Sequence, residues 1–455
     1  MVSTEANAQR LTRAIAEWIA SGPHSTPADV ALAGRGMADC IAVMLAGWSD
    51  SASHALRRID GLGDWADPLS PPARDPGTLA AHLACAAHAL DFDDNAFGNH
   101  TSAVLTPVLL AEAARVPTSG ARLLDAYLAG YETWAELSAR EDDSVHGKGW
   151  HPSAVYGPIA AAAALCVLRG LDADQCSNAL SLAASMSGGV VAQFGTPAKP
   201  WQVGRSARAG FEAVALTEAG MTAAPDALEH PLGFLMAISP KGHVRRDGPT
   251  ETGRHMARNG LNFKRYPVCY AMHRALDGLL AIQHKSMTPP EDIARIEIEV
   301  GEAQAAMLRH AQPSTTAEAK FSLPFGAAAV LLRGGLGPAE LDPDFITSDA
   351  VRALLAKVDV HTRKGRHPIE PSLAPSDSVT IHLKNGASHS SEVILPLGHF
   401  CNPAPPEVLD RKIADCLAAG PRPDHASRLL SKMRDLSALD DTRALIAIGQ
   451  EDLVA

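Results

Sequence analysis

A mainly α fold with a smaller α+β part set into it is predicted by three observations. Apolar residues recur at helical spacing from the N-terminus to about residue 260, period-two patterns appear only between about 264 and 400, and helical spacing returns from Glu407. The expected organisation is a large all-helical domain built from residues 1–263 and 402–455, with an inserted α+β lid domain of residues 264–401. A chain of 455 residues with 46% apolar content suits two cores, because single cores rarely grow past about 250–300 residues. Aromatic residues make up only 5% and alanine is the commonest residue, which favours close-packed helices over a β-sandwich.

The elements follow in order. Residues 1–20 carry Glu5, Arg10, Arg13 and Glu17 among apolar residues, which breaks the apolar run a signal peptide needs and predicts an amphipathic helix. Helices are expected over 28–46, 79–90, 103–114, 120–139, 153–169, 173–187 and 204–219. Thr26 and Asp172 are candidate N-caps, and Gly22-Pro23, Gly170 and Gly220 are candidate stops. Strands are expected at 295–300, where Ile296, Ile298 and Val300 alternate with charged neighbours, and at 356–362. Two more, at 379–383 and 392–395, are expected to pair across Lys384-Asn385-Gly386, since an Asn-Gly step favours a tight hairpin. Pro403, Pro405 and Pro406 precede the helical tail.

Composition excludes several classes. A net charge of −11 argues against a nucleic-acid partner, which needs clustered Lys and Arg. The longest apolar run, 159–168, is well short of the roughly twenty residues that cross a bilayer, so no membrane partner is expected. The seven cysteines form no C-x-x-C pair and no iron–sulfur spacing, which suggests a reducing, cytoplasmic compartment and chemistry without a cluster.

Four segments could carry chemistry. In His88-Ala-Leu-Asp91-Phe-Asp93-Asp94-Asn95, followed by His100, three carboxylates crowd a helix end; this is either a solvated acidic terminus with capping duties or a site in which Asp91 orients His100 for proton transfer. The same run could hold Mg²⁺ for a diphosphate, but a terpene cation would need an aromatic-lined pocket that this composition lacks. Gly147-Lys-Gly-Trp-His151-Pro152 puts a histidine before a helix, where a carboxylate would be attracted, unless it is a plain loop residue. Lys199 lies between Pro197 and Pro200 in what reads as a loop before a helix at Gly204, a rigid setting that suits anion binding better than a solvated lysine. Lys264-Arg265-Tyr-Pro-Val-Cys269, with His273 one turn on, sits at the expected domain junction, where two cations would match a polycarboxylate; a basic linker is the alternative. Cys269 and His273 could be a thiol pair, but no oxyanion loop accompanies them.

In order, the segments His88–Asp94, Gly149-Trp-His-Pro152, Gly195-Thr-Pro-Ala-Lys-Pro200, Pro231-Leu-Gly-Phe234, Lys264–Cys269 and Lys320-Phe-Ser-Leu-Pro-Phe325 resemble the MmgE/PrpD family. That family contains 2-methylcitrate dehydratases, cis-aconitate decarboxylases and iminodisuccinate epimerases. The resemblance implies a homodimer and catalysis without metal or organic cofactor. It places the active-site aspartate on Asp91, the histidines on His100 and His151, and the lysines on Lys199 and Lys264, with Cys269 and His273 on the same cavity-facing segment. Asn95 stands where threonine is common, the loop to His100 is one residue short, Thr101 replaces a proline, and Phe325 replaces a frequent tyrosine; Asn95 and Phe325 are therefore expected on the pocket. All three family reactions make or protonate a carbanion next to a carboxylate. The expectation is a cofactor-independent lyase acting on a small di- or tricarboxylate, with an epimerase of iminodisuccinate type or a non-catalytic polycarboxylate binder as alternatives.

Overall fold

The computed structural model describes residues 10–446 apart from 23–24, 64, 69–74, 144, 371–372, 422 and 424–425; residues 1–9 of the expected first helix lie outside the described residues. The rest of that helix is Leu11–Ala20. Helix Pro27–Ala46 starts at a capping box, Thr26 accepting from the Asp29 N–H while Asp29 accepts from the Thr26 N–H. Asp172 and Gln175 form the same device ahead of helix Ala173–Ala184. Gly170 ends helix Gly157–Arg169 in the left-handed conformation that glycine adopts without Cβ strain.

Two expected helices come out differently. The 153–169 stretch is two helices, Pro152–Val155 and Gly157–Arg169, because Pro158 has no N–H to continue the ladder. The helix expected from Gly204 begins at Ala198 and runs to Glu218. Pro200 falls in its first turn, where backbone N–H groups have no intrahelical partner and proline costs little. Lys199 is therefore on the first turn of a helix and not in a loop.

Among the described residues the sheet has four strands in the order β2-β1-β3-β4: β1 Ile293–Gly301, β2 Val358–Arg363, β3 Asp377–Leu383 and β4 Ser388–Val393. β2 pairs parallel to β1, and β3 antiparallel to both β1 and β4. The hairpin forms across 384–387, but β4 starts four residues before the expected 392. Its Ser-His-Ser-Ser-Glu-Val sequence is an edge strand of alternately exposed and half-buried residues with one apolar side chain, Val393, so it carries no hydrophobic alternation to detect.

Buried apolar residues gather in two main clusters. One joins the N-terminal helices to Ile413, Cys416 and Leu417 of helix Pro406–Ala419 and to Leu429, Met433 and Leu436 beyond it. The other runs from Tyr266 to Ile381 and takes in Phe194 from the helical part. Segment Pro27–Ser49 is long and apolar enough to cross a bilayer by length and composition, yet 72% of its apolar window is buried inside the fold. Helix Ala198–Glu218 packs along Pro76–Ala89; an added Cβ on Gly204 would stand 2.5 Å from the Ala81 carbonyl oxygen, so only glycine permits this approach. The two helices bring Lys199 and the 88–94 segment to the seam between the clusters.

Candidate active site

Helix Pro76–Ala89 ends at Leu90, and Asp91 turns the chain with φ +52°, a conformation that aspartate tolerates better than most side chains. Asp91 Oδ1 then accepts from Lys264 Nζ at 2.6 Å and lies 3.1 Å from Lys199 Nζ. Lys264 Nζ also donates to the Asp91 carbonyl at 2.7 Å and the Val268 carbonyl at 3.2 Å. Burial works to raise the Asp91 carboxyl, but Lys199 and Lys264 hold it well below the usual carboxylate range. Lys199 Nζ faces the rings of Phe194 and Phe321 at 5.1 and 5.4 Å, a favourable seat for a cation.

The carboxylate that orients His100 is Asp93 and not Asp91. Buried Asp93 accepts from His100 Nδ1 at 2.8 Å and from His88 Nδ1 at 3.1 Å, fixing one tautomer on both rings. His100 Nε2 then comes 3.7 Å from Asp91 Oδ1. His151 is fixed separately: its Nδ1 donates to Gln202 Oε1 at 2.7 Å, and Gln202 donates to the Val190 carbonyl at 3.3 Å. That leaves buried His151 Nε2 without a hydrogen-bond partner. The His88 and His151 rings stack with centroids 5.9 Å apart. Burial, reinforced by nearby Lys199, lowers His88 to about 3 and His151 well below its ordinary value; burial also lowers His100. All three imidazoles are thereby neutral at pH 7, each with Nδ1–H engaged and Nε2 carrying a lone pair.

Beneath this layer Asp94 accepts from Ser102 Oγ at 2.6 Å, and Ser102 meets the Tyr127 hydroxyl at 2.6 Å. Burial and neighbouring Asp39 raise Asp94 well above the carboxylate range, so the crowded run carries fewer charges than its formula suggests. Lys412, from helix Pro406–Ala419, donates to Asp39 Oδ2 at 3.0 Å and to the Phe92 carbonyl at 2.7 Å, holding the run from behind.

Asp91, Asn95, His100, His151, Lys199 and Cys269 line one cavity of about 70 Å³, together with His146, Ser153, Phe194, Tyr270 and Phe321. A neighbouring cavity of about 40 Å³ lies across Asp91 and Lys199, bordered by His88 and Lys320. Lys264 stands behind Asp91. Asn95 exchanges backbone hydrogen bonds with Asn262 and accepts from its side-chain amide at 2.9 Å. Burial and Asp91 push the Cys269 thiol up to about 11, which removes it as a nucleophile at neutral pH. His273 packs between Tyr266 and Tyr270 with Nε2 3.4 Å from the Val268 carbonyl, off the wall of the 70 Å³ cavity. Phe325 is fully buried against Phe345 in the second apolar cluster, also off that wall.

Sequence reading passed over His88, Asp93 and Lys320 as site residues although each lies in a segment it singled out. Lys320 donates from Nζ to the Ala89 carbonyl, so it reaches the same helix end as Lys264. Gln202 had no signal: it lies 51 residues from His151, and no spacing rule connects them. The nearest His88, Asp91, Asp93 and His100 ligand atoms lie within 4.8 Å of one another, a set that could hold a metal ion. Asp93 already accepts from both rings and Asp91 Oδ1 faces two lysines, whereas His88 Nε2 and Asp91 Oδ2 have no hydrogen-bond partner.

A helical body, a small mixed sheet and a cluster of buried histidines, carboxylates and lysines around a cavity define an enzyme-like site. Residues 13–247 match the MmgE/PrpD N-terminal domain and residues 266–436 the MmgE/PrpD C-terminal domain, and the chain belongs to the MmgE/PrpD family. Human cis-aconitate decarboxylase is 28% identical over 391 residues, covering 83% of this chain and 80% of the relative. The mouse cis-aconitate decarboxylase is likewise 28% identical, over 82% and 79%. A cis-aconitate decarboxylase-like protein of Aspergillus oryzae is 24% identical over 97% of this chain and 98% of its own length.

Proposed function

We propose that the protein is a cofactor-independent lyase that decarboxylates a small unsaturated tricarboxylate of cis-aconitate type. The observation that carries this reading is the pair of fixed imidazoles, His100 and His151, placed with buried Lys199 around one small cavity. The named relatives support the choice of decarboxylation. The bond from carbon to the departing carboxylate breaks, CO₂ leaves, and the electron pair remains as an allylic carbanion spread onto a neighbouring carboxylate. Lys199 holds a carboxylate of the substrate before and during this step, and Lys264 keeps Asp91 in place behind it. A proton on a histidine Nε2 then quenches the carbanion and returns the imidazole to neutrality. Because the free imidazoles are neutral, the proton arrives with the substrate, whose carboxylates raise the histidine pKa as they bind. In this reading the sheet-bearing part is the lid that keeps water out.

A second reading, dehydration of a 2-methylcitrate-like hydroxy acid, is favoured by the free lone pair at His151 Nε2, which could remove a proton next to a carboxylate without prior charging. Incubating the protein with cis-aconitate, 2-methylcitrate and iminodisuccinate in D₂O and following each by NMR separates the readings. CO₂ release with one deuterium in the product supports decarboxylation. Alkene formation marks dehydration, deuteration without loss of a group marks an epimerase, and no turnover of any acid overturns the proposal.

A further inference from the structure

Beside the 70 Å³ cavity opens a basin of about 560 Å³, and Gly98, His146 and Leu373 border both. The inner cavity has about an eighth of the basin's volume, and a triacid whose reacting end lies at His100 and His151 can extend its far carboxylate through this neck.

The basin is built to receive an anion on one side. Lys364 and Arg366 line it; both are exposed, and among the described residues neither forms an ion pair. They follow Arg363, which ends β2 and is anchored by Nε to Glu299 of β1 at 2.8 Å, so the two cations project from a fixed strand end. Across the basin the acids are engaged: Glu141 with Lys148, Asp142 3.8 Å from Arg245, and Asp143 3.9 Å from His243. Glu302, which follows Gly301, the sheet partner of Arg363, also lines the basin, as does Glu370, 3.3 Å from His399. The Tyr156 hydroxyl, on a residue with no solvent exposure, borders the same space without a hydrogen-bond partner.

We infer that Lys364 and Arg366 form an outer carboxylate subsite, which holds the carboxylate farthest from the reacting carbon while His146 marks the neck to the inner cavity. The inference rests on the polycarboxylate reading above and assigns the selection of tricarboxylates over dicarboxylates to these two residues.

The test is equilibrium binding of two unreactive acids to the full chain by calorimetry: propane-1,2,3-tricarboxylate and succinate. The Lys364→Ala/Arg366→Ala double variant should bind the triacid at least about tenfold more weakly, as loss of a charge-assisted hydrogen bond predicts, and succinate within about twofold. Wild-type affinity for the triacid should also fall more steeply with added salt than the variant's. Arg366→Gln, a smaller change at an exposed position, should show part of the loss with an unchanged melting temperature. Unchanged triacid binding in the folded double variant, or an equal loss for both acids, overturns the outer subsite and leaves the proposed function standing. Failure of wild-type protein to bind either acid overturns the polycarboxylate reading itself.

Discussion

His100 and His151 reach one cavity on different supports, one through Asp93 and the other through Gln202, so their contributions separate. Proton transfer by a placed histidine is worth about 10² to 10⁴ in rate. His151→Ala and His100→Ala should each lower kcat at least about a hundredfold, while Lys199→Ala, removing a group that holds substrate in ground and transition states alike, should mainly raise KM. Asp93→Asn should lower kcat by about ten- to a hundredfold with KM little changed, since it misorients two rings without removing either. The pH dependence follows from the lowered histidines. If a protonated imidazole must be formed as substrate binds, kcat/KM rises as pH falls from 8 to 6, because the charged fraction grows toward the depressed pKa. A flat profile through this range would mean that the neutral ring acts as base, and would favour dehydration. Turnover should survive dialysis against EDTA; loss of activity restored by a divalent ion would make His88, Asp91, Asp93 and His100 a metal site.

At the level of elements, the site depends on how closely two helices approach. Pro76–Ala89 delivers His88 and the turn to Asp91, and Ala198–Glu218 delivers Lys199 and Gln202. Their contact passes through Gly204. Gly204→Ala would force a Cβ against the Ala81 carbonyl and within 3.3 Å of Cys85 Cβ, which overpacking predicts to cost about 1–3 kcal/mol. Urea unfolding should show that loss, and kcat should fall with it, because Lys199 and Gln202 move together with the helix. Native kcat in this variant would mean that the seam tolerates helix movement. The helices themselves were legible because caps and stops coincide with apolar periodicity, as at Thr26 and Asp172. Lys199 was misplaced into a loop because prolines read as breakers, although a first helical turn accepts Pro200. β4 was missed by four residues because a polar edge strand is fixed by its partner, Ile381 pairing with His389, and not by its own pattern.

For the molecule as a whole, the sequence carried the ligand-facing groups better than the groups that hold them. Asp91, His100, His151 and Lys199 stand in short segments whose composition is unusual for solvated loops, and they meet. Gln202 and Lys412 act across long sequence separations and look like ordinary helix residues until the fold closes, while Asp93, five residues from His88 and seven from His100, is one of three neighbouring carboxylates whose pattern does not say which one meets the rings. Lys412 shows the consequence. It lies 320 residues from Phe92, whose carbonyl it binds, and it pairs with Asp39, a fully buried carboxylate that burial already pushes upward. Removing one partner of a buried pair leaves an uncompensated charge and costs about 3–5 kcal/mol, less whatever Asp39 recovers by taking up a proton. Lys412→Met should therefore destabilise the protein in urea, and more at pH 8 than at pH 6, since the higher pH keeps Asp39 from protonating. Adding Asp39→Asn should restore much of that stability. The double variant should still turn over more slowly than wild type, because nothing then holds the Phe92 carbonyl and the 91–94 run loses its support. Full activity in a stable double variant would show that the run keeps its shape without helix Pro406–Ala419.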